Sequence, residues 1–210
     1  MIFFKRYFFL FLGLLIMSFG VAFSVKASLG TSPISSVPYV VSLISPLTVG
    51  IATIVMHIIF ILIQIVLLRK DFKVVQLIQI PVAFIFGYLT DFSLWTIRNI
   101  NPNSYSGQWI LCIVGILLVG TGVSFEVNSK ASTLAGEGVI LAICNVFKVP
   151  FPKTKIGFDI TLVVTAALIS VLFTSRISGI REGTVAAAIF VGMVAKLVNI
   201  PLKKFSEKYL

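Results

Sequence analysis

The chain has 210 residues, of which 58% are hydrophobic and only 11% are charged, with a mean hydropathy of +1.09 and a formal net charge of +10. Soluble globular domains carry about 25% charged residues, so the composition excludes a soluble domain. The basic excess does not indicate nucleic-acid binding, because the Lys and Arg residues lie mainly between and beyond the apolar runs. That placement is typical of the cytoplasmic loops of a multi-pass membrane protein.

Six apolar runs are long enough to cross a bilayer, which takes about 18–20 residues. They cover residues 7–25, 49–68, 75–97, 108–127, 156–174 and 184–202, and two shorter apolar pieces cover 33–45 and 138–147. The first run follows Lys5 and Arg6 as in a signal peptide, but it exceeds the ~7–15 apolar residues of such a segment. We interpret it as an uncleaved transmembrane helix.

The second half of the sequence repeats the first. Residues 13–15 match 115–117 and residues 20–25 match 122–127, both at an offset of 102, and residues 26–28 match 130–132 after a two-residue shift. Each half contains a long helix, a polar break with a short helix, and two further long helices. We therefore divide the single membrane domain into a first repeat (1–98), an external linker (99–108) and a second repeat (109–210).

The number of spans sets the orientation of the repeats. If the short pieces are re-entrant, each half has three spans, and an odd number inverts the second half relative to the first. With both termini cytoplasmic, this topology keeps most of the 17 Lys and Arg residues inside, as the positive-inside rule prefers. Eight spans are the alternative. We predict an all-α membrane protein with two inverted repeats, each of three transmembrane helices and one broken or re-entrant half-helix.

The first short helix has two candidate starting points. Ser32 followed by Pro33 fits an N-cap and a first helical residue. That start places Pro38 inside the helix, where proline is unfavourable, so Ser36 is the alternative N-cap. In both cases the helix N-terminus points toward the membrane midplane.

The predicted substrate site lies where the two broken segments meet, because helix N-termini offer free N–H groups to an anion or a polar group. Its candidate residues are Gly30, Thr31, Ser32, Ser35, Thr133, Gly136, Glu137 and Gly138. Glu137 is also a candidate for sensing protons or a coupling cation, and Asp91 and Asp159 are further candidates for coupling or gating. The alternative is that the Gly, Ser and Thr residues only permit close helix packing.

The other ionisable residues have simpler interpretations. Glu126 and Lys130, and likewise Lys155 and Asp159, are spaced as i,i+4 ion pairs, and His57 is interpreted as a packing residue. The sequence contains no recognisable catalytic motif and no metal-ligand spacing. We therefore predict no catalytic residue, no metal, no cofactor and no enzymatic activity.

Three segments resemble the YitT/YczE family of bacterial membrane proteins. They are Leu29-Gly30-Thr31-Ser32-Pro33, Gly87-Tyr88-Leu89-Thr90-Asp91, and Arg181-Glu182-Gly183-Thr184-Val185 followed by Gly192. The resemblance covers essentially the whole chain and is closer to the YczE branch. It implies a multi-pass protein of the bacterial inner membrane and brings no established substrate, reaction or catalytic residue.

These observations predict a transporter or channel for a small polar solute or anion, bound at the midplane between the two broken helices. The expected partners are the lipid bilayer and the solute but no nucleic acid, and the sequence leaves a homo-oligomer open. The alternative is a non-transporting scaffold or regulatory partner whose basic face docks another protein. A polar cavity near Gly30 and Gly136 favours transport, whereas a tightly packed centre favours the scaffold.

Overall fold

The structure is a computed structural model that describes residues 2–209 and, within them, the side chains of residues 4–204 and Ser206. Eight α-helices occur in this range: α1 (Ile2–Ala27), α2 (Pro33–Ile44), α3 (Val49–Leu68), α4 (Gln79–Thr96), α5 (Tyr105–Ser129), α6 (Ala135–Phe147), α7 (Phe151–Thr174) and α8 (Glu182–Tyr209). Two 3₁₀ turns, Arg69–Asp71 and Val74–Ile78, join α3 to α4. Helices α1, α3, α4, α5, α7 and α8 are long and apolar enough to cross a membrane, whereas α2 and α6 are short. The predicted all-α membrane class is confirmed.

The same order of helices occurs in both halves, and the first helix of each half ends at a residue with positive φ. Ser28 ends α1 with φ 55° and Lys130 ends α5 with φ 52°, both left-handed. Helix α2 begins at Pro33 and α6 begins at Ala135, so the offset of 102 runs through the broken segments without the two-residue shift. The repeat boundaries at residues 98 and 109 stay a prediction.

Helices α1 and α5 cross at the centre through reciprocal glycine contacts. A Cβ added to Gly13 would lie 3.0 Å from the carbonyl oxygen of Gly122, and one added to Gly20 would lie 2.9 Å from the carbonyl oxygen of Gly115. Because the earlier glycine of α1 meets the later glycine of α5, the two helices run in opposite directions. Since they are the corresponding first helices of the two halves, this crossing fits an inverted relation between the halves.

Packing around this centre follows the same plan in both halves, with one exception. Helix α4 packs on α1 as α8 packs on α5, and α3 packs on α6 as α7 packs on α2. Helices α3 and α4 approach closely where a Cβ on Gly87 would lie 2.7 Å from the carbonyl oxygen of Gly50. Helices α7 and α8 scarcely touch in the part of the chain that the structure describes. The second half is therefore open between its last two helices.

Helix α2 starts at the first of its two candidate positions. Ser32 is the N-cap and Pro33 the first helical residue, so Pro38 does lie inside the helix. The hydroxyl of Ser36 donates to the carbonyl oxygen of Pro33 at 2.6 Å, which places it within the first turn instead of at its cap. The helix therefore presents Ser32 and Pro33 to the centre of the protein.

Candidate functional site

A cavity of about 230 Å³ lies at the N-terminal ends of α2 and α6 and extends between α7 and α8. Its apolar lining comes from α1, α2, α5, α6, α7 and α8. Its polar lining residues are Ser32, Glu126, Glu137, Lys155 and Asp159. Three carboxyl groups therefore face the same space as one ammonium group.

Glu126 lies at the inner wall of this cavity and is only 2% exposed. Its Oε1 atom accepts a hydrogen bond from the backbone N–H of Leu134 at 2.6 Å. Leu134 is the N-cap of α6, so the carboxylate satisfies a free N–H group at the positive end of that helix. The expected pair with Lys130 is not seen, because Lys130 is exposed at the turn that ends α5.

The remaining charged residues of the cavity belong to α6 and α7. Lys155 and Asp159 form a salt bridge at 3.1 Å between Nζ and Oδ1, so the predicted i,i+4 pair is confirmed. Glu137 is in the first turn of α6, where its negative charge suits the helix dipole. Among the described residues the Glu137 carboxylate has no hydrogen-bond partner. It is therefore the acid of the cavity that is most available to a solute.

The two broken segments meet, as the sequence predicts. The side chain of Ile34 fills the space where a Cβ on Gly136 would lie. Ser32 of the first segment and Gly136 and Glu137 of the second line the cavity, together with Asp159 of α7. These residues make up the part of the predicted site that the structure brings together.

The other predicted substrate residues lie outside this cavity. Gly30 adopts φ +91° and packs against the side chain of Thr184, and Thr31 is buried. Gly138 packs against the carboxamide of Gln64, and Thr133 is half-buried in the loop before α6. The cavity is built mainly by the second half, where α7 and α8 separate, instead of equally by both halves.

Ser35 faces a second, smaller cavity of about 20 Å³. His57 and Thr53 line the same space, and within the described residues the Nδ1 atom of His57 has no hydrogen-bond partner. A cavity of this size with several polar groups has room for a single water molecule. His57 also packs edge-on against Phe60 and Phe86, which agrees with its interpretation as a packing residue.

Glu126 and Lys155 both line the cavity, although the sequence predicts no substrate role for either. A usable signal existed for Glu126, because an acidic residue within a long apolar run is costly and is usually functional or paired. For Lys155 the sequence showed only its spacing from Asp159. Lys155 and Asp159 lie on the side of α7 that faces the cavity. That orientation follows from the separation of α7 and α8, which the sequence does not show.

Asp91 lies outside the cavity and links α4 to the start of α3. Its Oδ2 accepts from the hydroxyl of Thr48 at 2.6 Å, and its Oδ1 accepts from the N–H of Gly50 at 2.8 Å. Thr48 is the N-cap of α3, so the carboxylate holds the end of that helix close to α4. These contacts favour a structural role over the predicted coupling role.

Replacing Asp91 with alanine is expected to lower the free energy of unfolding by about 1.5–3 kcal/mol, as for other hydrogen bonds to charged groups. Asp71→Ala is the matched control, because Asp71 is exposed in the first 3₁₀ turn. Thermal unfolding of both variants in detergent measures the difference. If Asp91→Ala and Asp71→Ala melted at the same temperature and only Asp91→Ala lost transport, the result would support a coupling role for Asp91.

Comparison with known protein families and curated proteins gives two matches. A family described as "Family of unknown function (DUF6198)" matches residues 4–200. "Uncharacterized protein YyaS" of Bacillus subtilis (strain 168) is 28% identical over 190 residues, which cover 90% of each chain. No solved structure matches the chain.

Proposed function

The chain belongs to the DUF6198 family of unknown function, and from that premise we propose that it is a transporter or channel for a small polar solute. The observation that carries this proposal is the cavity at the N-terminal ends of α2 and α6, with three carboxylates and one ammonium group in its lining. Ionisable side chains in a membrane interior usually mark a path for a solute or ion. We propose no enzymatic activity.

The cavity favours a neutral polar or cationic solute over an anion. At the head of α6, where an anion would otherwise bind, the N–H of Leu134 is already bonded to the carboxylate of Glu126. Glu137 and Asp159 add further negative charge, and Lys155 is engaged with Asp159. A solute with positive charge or several hydrogen-bond donors should therefore bind more tightly than an anion, with Glu137 as its primary contact.

The difference between the two halves supports transport over a static role. Helices α3 and α4 are in close contact at Gly50 and Gly87, whereas α7 and α8 scarcely touch among the described residues and a Cβ on Gly192 of α8 would meet nothing within 4 Å. In transporters built from inverted repeats, the two halves exchange such open and closed arrangements around a fixed site. The scaffold alternative accounts for the packed surroundings of Gly30 but leaves the charged cavity beside Gly136 without a purpose.

The proposal extends to the membrane and the orientation of the chain. The resemblance to the YitT/YczE family implies the bacterial inner membrane. We propose that both termini lie in the cytoplasm, because this orientation keeps most basic residues inside. The finer resemblance to the YitT/YczE family stays a prediction.

Uptake into liposomes that contain the purified full chain tests this function. With a panel of radiolabelled amino acids, polyamines, organic monocations and other small polar solutes, we expect at least one to accumulate above protein-free liposomes. Glu137→Gln should lower that uptake roughly tenfold, which corresponds to about 1.4 kcal/mol. Glu182→Gln is the matched control, because Glu182 pairs with Arg181 outside the cavity. Absence of uptake for the whole panel, or equal uptake by Glu137→Gln, would contradict the proposal.

A further inference from the structure

An apolar cleft of about 500 Å³ opens between α7 and α8. Ile160, Val163 and Val164 of α7 form one wall, and Val185 and Ile189 of α8 form the other. The equivalent space between α3 and α4 is closed by the contact of Gly50 with Gly87. Because α7 and α8 both belong to the membrane-crossing set, the cleft faces the interior of the bilayer.

The cleft adjoins the charged cavity. Pro33, Ile156, Asp159 and Ala188 line both spaces, so Asp159 stands at the junction between an apolar region and an acidic one. The combined space suits a ligand with an apolar body in the cleft and a charged or polar head in the cavity. Its size falls in the range of about 300–1,000 Å³ that is usual for small-molecule sites.

An acid without a hydrogen-bond partner provides the polar contact for such a ligand. Glu137 lines the cavity at the head of α6, and its carboxyl group has no hydrogen-bond partner among the described residues. Buried polar groups are nearly always paired, since an unpaired one costs about 1–3 kcal/mol. A charged or polar head of a ligand in the cavity would provide the missing partner.

We propose that the cleft and the cavity together bind a lipophilic organic monocation, which enters from the bilayer between α7 and α8. The inference rests on the proposed function and names the substrate class of the same site. The carboxylates of Glu126, Glu137 and Asp159 select positive charge, and the walls of α7 and α8 select an apolar body. A phospholipid fits less well, because its phosphate would lie among these carboxylates.

Binding of radiolabelled tetraphenylphosphonium to the purified full chain in nanodiscs tests this inference, with binding to empty nanodiscs subtracted. We expect saturable binding that is roughly tenfold tighter, a difference of about 1.4 kcal/mol, than that of tetramethylammonium. Tetraphenylborate, which has the same shape and the opposite charge, should not compete. Competition by tetraphenylborate at equal concentrations would overturn the selection for positive charge and indicate an apolar lipid-binding groove.

Two tryptophan substitutions test the role of the cleft. Ala188→Trp fills the junction and should lower tetraphenylphosphonium binding roughly tenfold, and Val185→Trp at the rim is a second variant if the first does not fold. Leu172→Trp is the matched control, because Leu172 is an exposed residue of α7 outside the cleft. Unchanged binding in both cleft variants would overturn the inference.

The comparison ligand separates this inference from the function on which it rests. If tetramethylammonium binds as tightly as tetraphenylphosphonium, the cleft contributes nothing and the inference fails, while a polar solute site in the cavity remains supported. Failure of the proposed function has a different signature, since it is measured by solute uptake and by the effect of Glu137→Gln on that uptake.

Discussion

Alanine in place of Gly20 is expected to lower the free energy of unfolding by about 3 kcal/mol, the upper end for an overpacked core. The new Cβ would lie 2.6 Å from the backbone nitrogen of Val119 and 2.9 Å from the carbonyl oxygen of Gly115. Because these are backbone atoms, no side-chain rotation can relieve the contact, and α1 must move away from α5. Thermal unfolding of the purified chain in detergent measures the loss.

Gly157→Ala is the matched control for this substitution. Gly157 also lies inside a long helix, but a Cβ at this position would meet nothing within 4 Å. Alanine there should leave the stability unchanged or raise it by up to about 1 kcal/mol, because alanine has the higher helix propensity. Equal melting temperatures for Gly20→Ala and Gly157→Ala would contradict the close crossing of α1 and α5.

Two substitutions of Glu126 should separate its structural role from its role in the cavity. Glu126→Leu removes the acceptor of the Leu134 N–H and leaves that group buried, at an expected cost of about 1.5–3 kcal/mol. Glu126→Gln keeps an acceptor oxygen and removes the charge, so its melting temperature should stay close to that of the wild type. Thermal unfolding distinguishes the two variants.

Both Glu126 variants should weaken the binding of a cationic solute roughly tenfold, since neither side chain can offer it a negative charge. Tetraphenylphosphonium binding in nanodiscs provides the measurement, and Glu182→Gln outside the cavity is the control. Wild-type affinity in the folded Glu126→Gln variant would show that the carboxylate acts only as a cap of α6.

The helical architecture could be predicted from the sequence, because each helix appears as an apolar run and each break as a short polar segment. The lengths of the apolar runs predicted six long helices, and the polar breaks predicted two short ones. The internal repeat is recognised by matching glycines in its two copies, at positions 13, 20, 115 and 122. The same glycines form the contact between α1 and α5. Those positions were recognisable because close helix packing restricts the choice of residue.

The site was only partly predictable, because it depends on a difference between two halves that look alike in sequence. Ser32, Gly136 and Glu137 are predicted substrate residues that line the cavity. Gly30 and Asp91 do not, because Gly30 packs on Thr184 and Asp91 binds the start of α3. No local pattern shows that α3 and α4 close while α7 and α8 separate.

A water-accessible acidic cavity at the heads of the two broken helices should make the thiol of Ser32→Cys reactive toward labelling reagents. Ser32 lines the cavity, and its replacement leaves all three carboxylates in place. The variant is made with Cys112 and Cys144, the two native cysteines, replaced by alanine. Ser36→Cys is the matched control, because Ser36 is 0% exposed and lies outside the cavity.

The two labelling reagents are methanethiosulfonates of similar size, one carrying a trimethylammonium group and the other a sulfonate. We expect the cationic reagent to modify Ser32→Cys at least roughly tenfold faster than the anionic one, tetraphenylphosphonium to slow that reaction, and Ser36→Cys to remain unlabelled. Faster labelling of Ser32→Cys by the anionic reagent, or none by either, would contradict an acidic cavity between the broken helices.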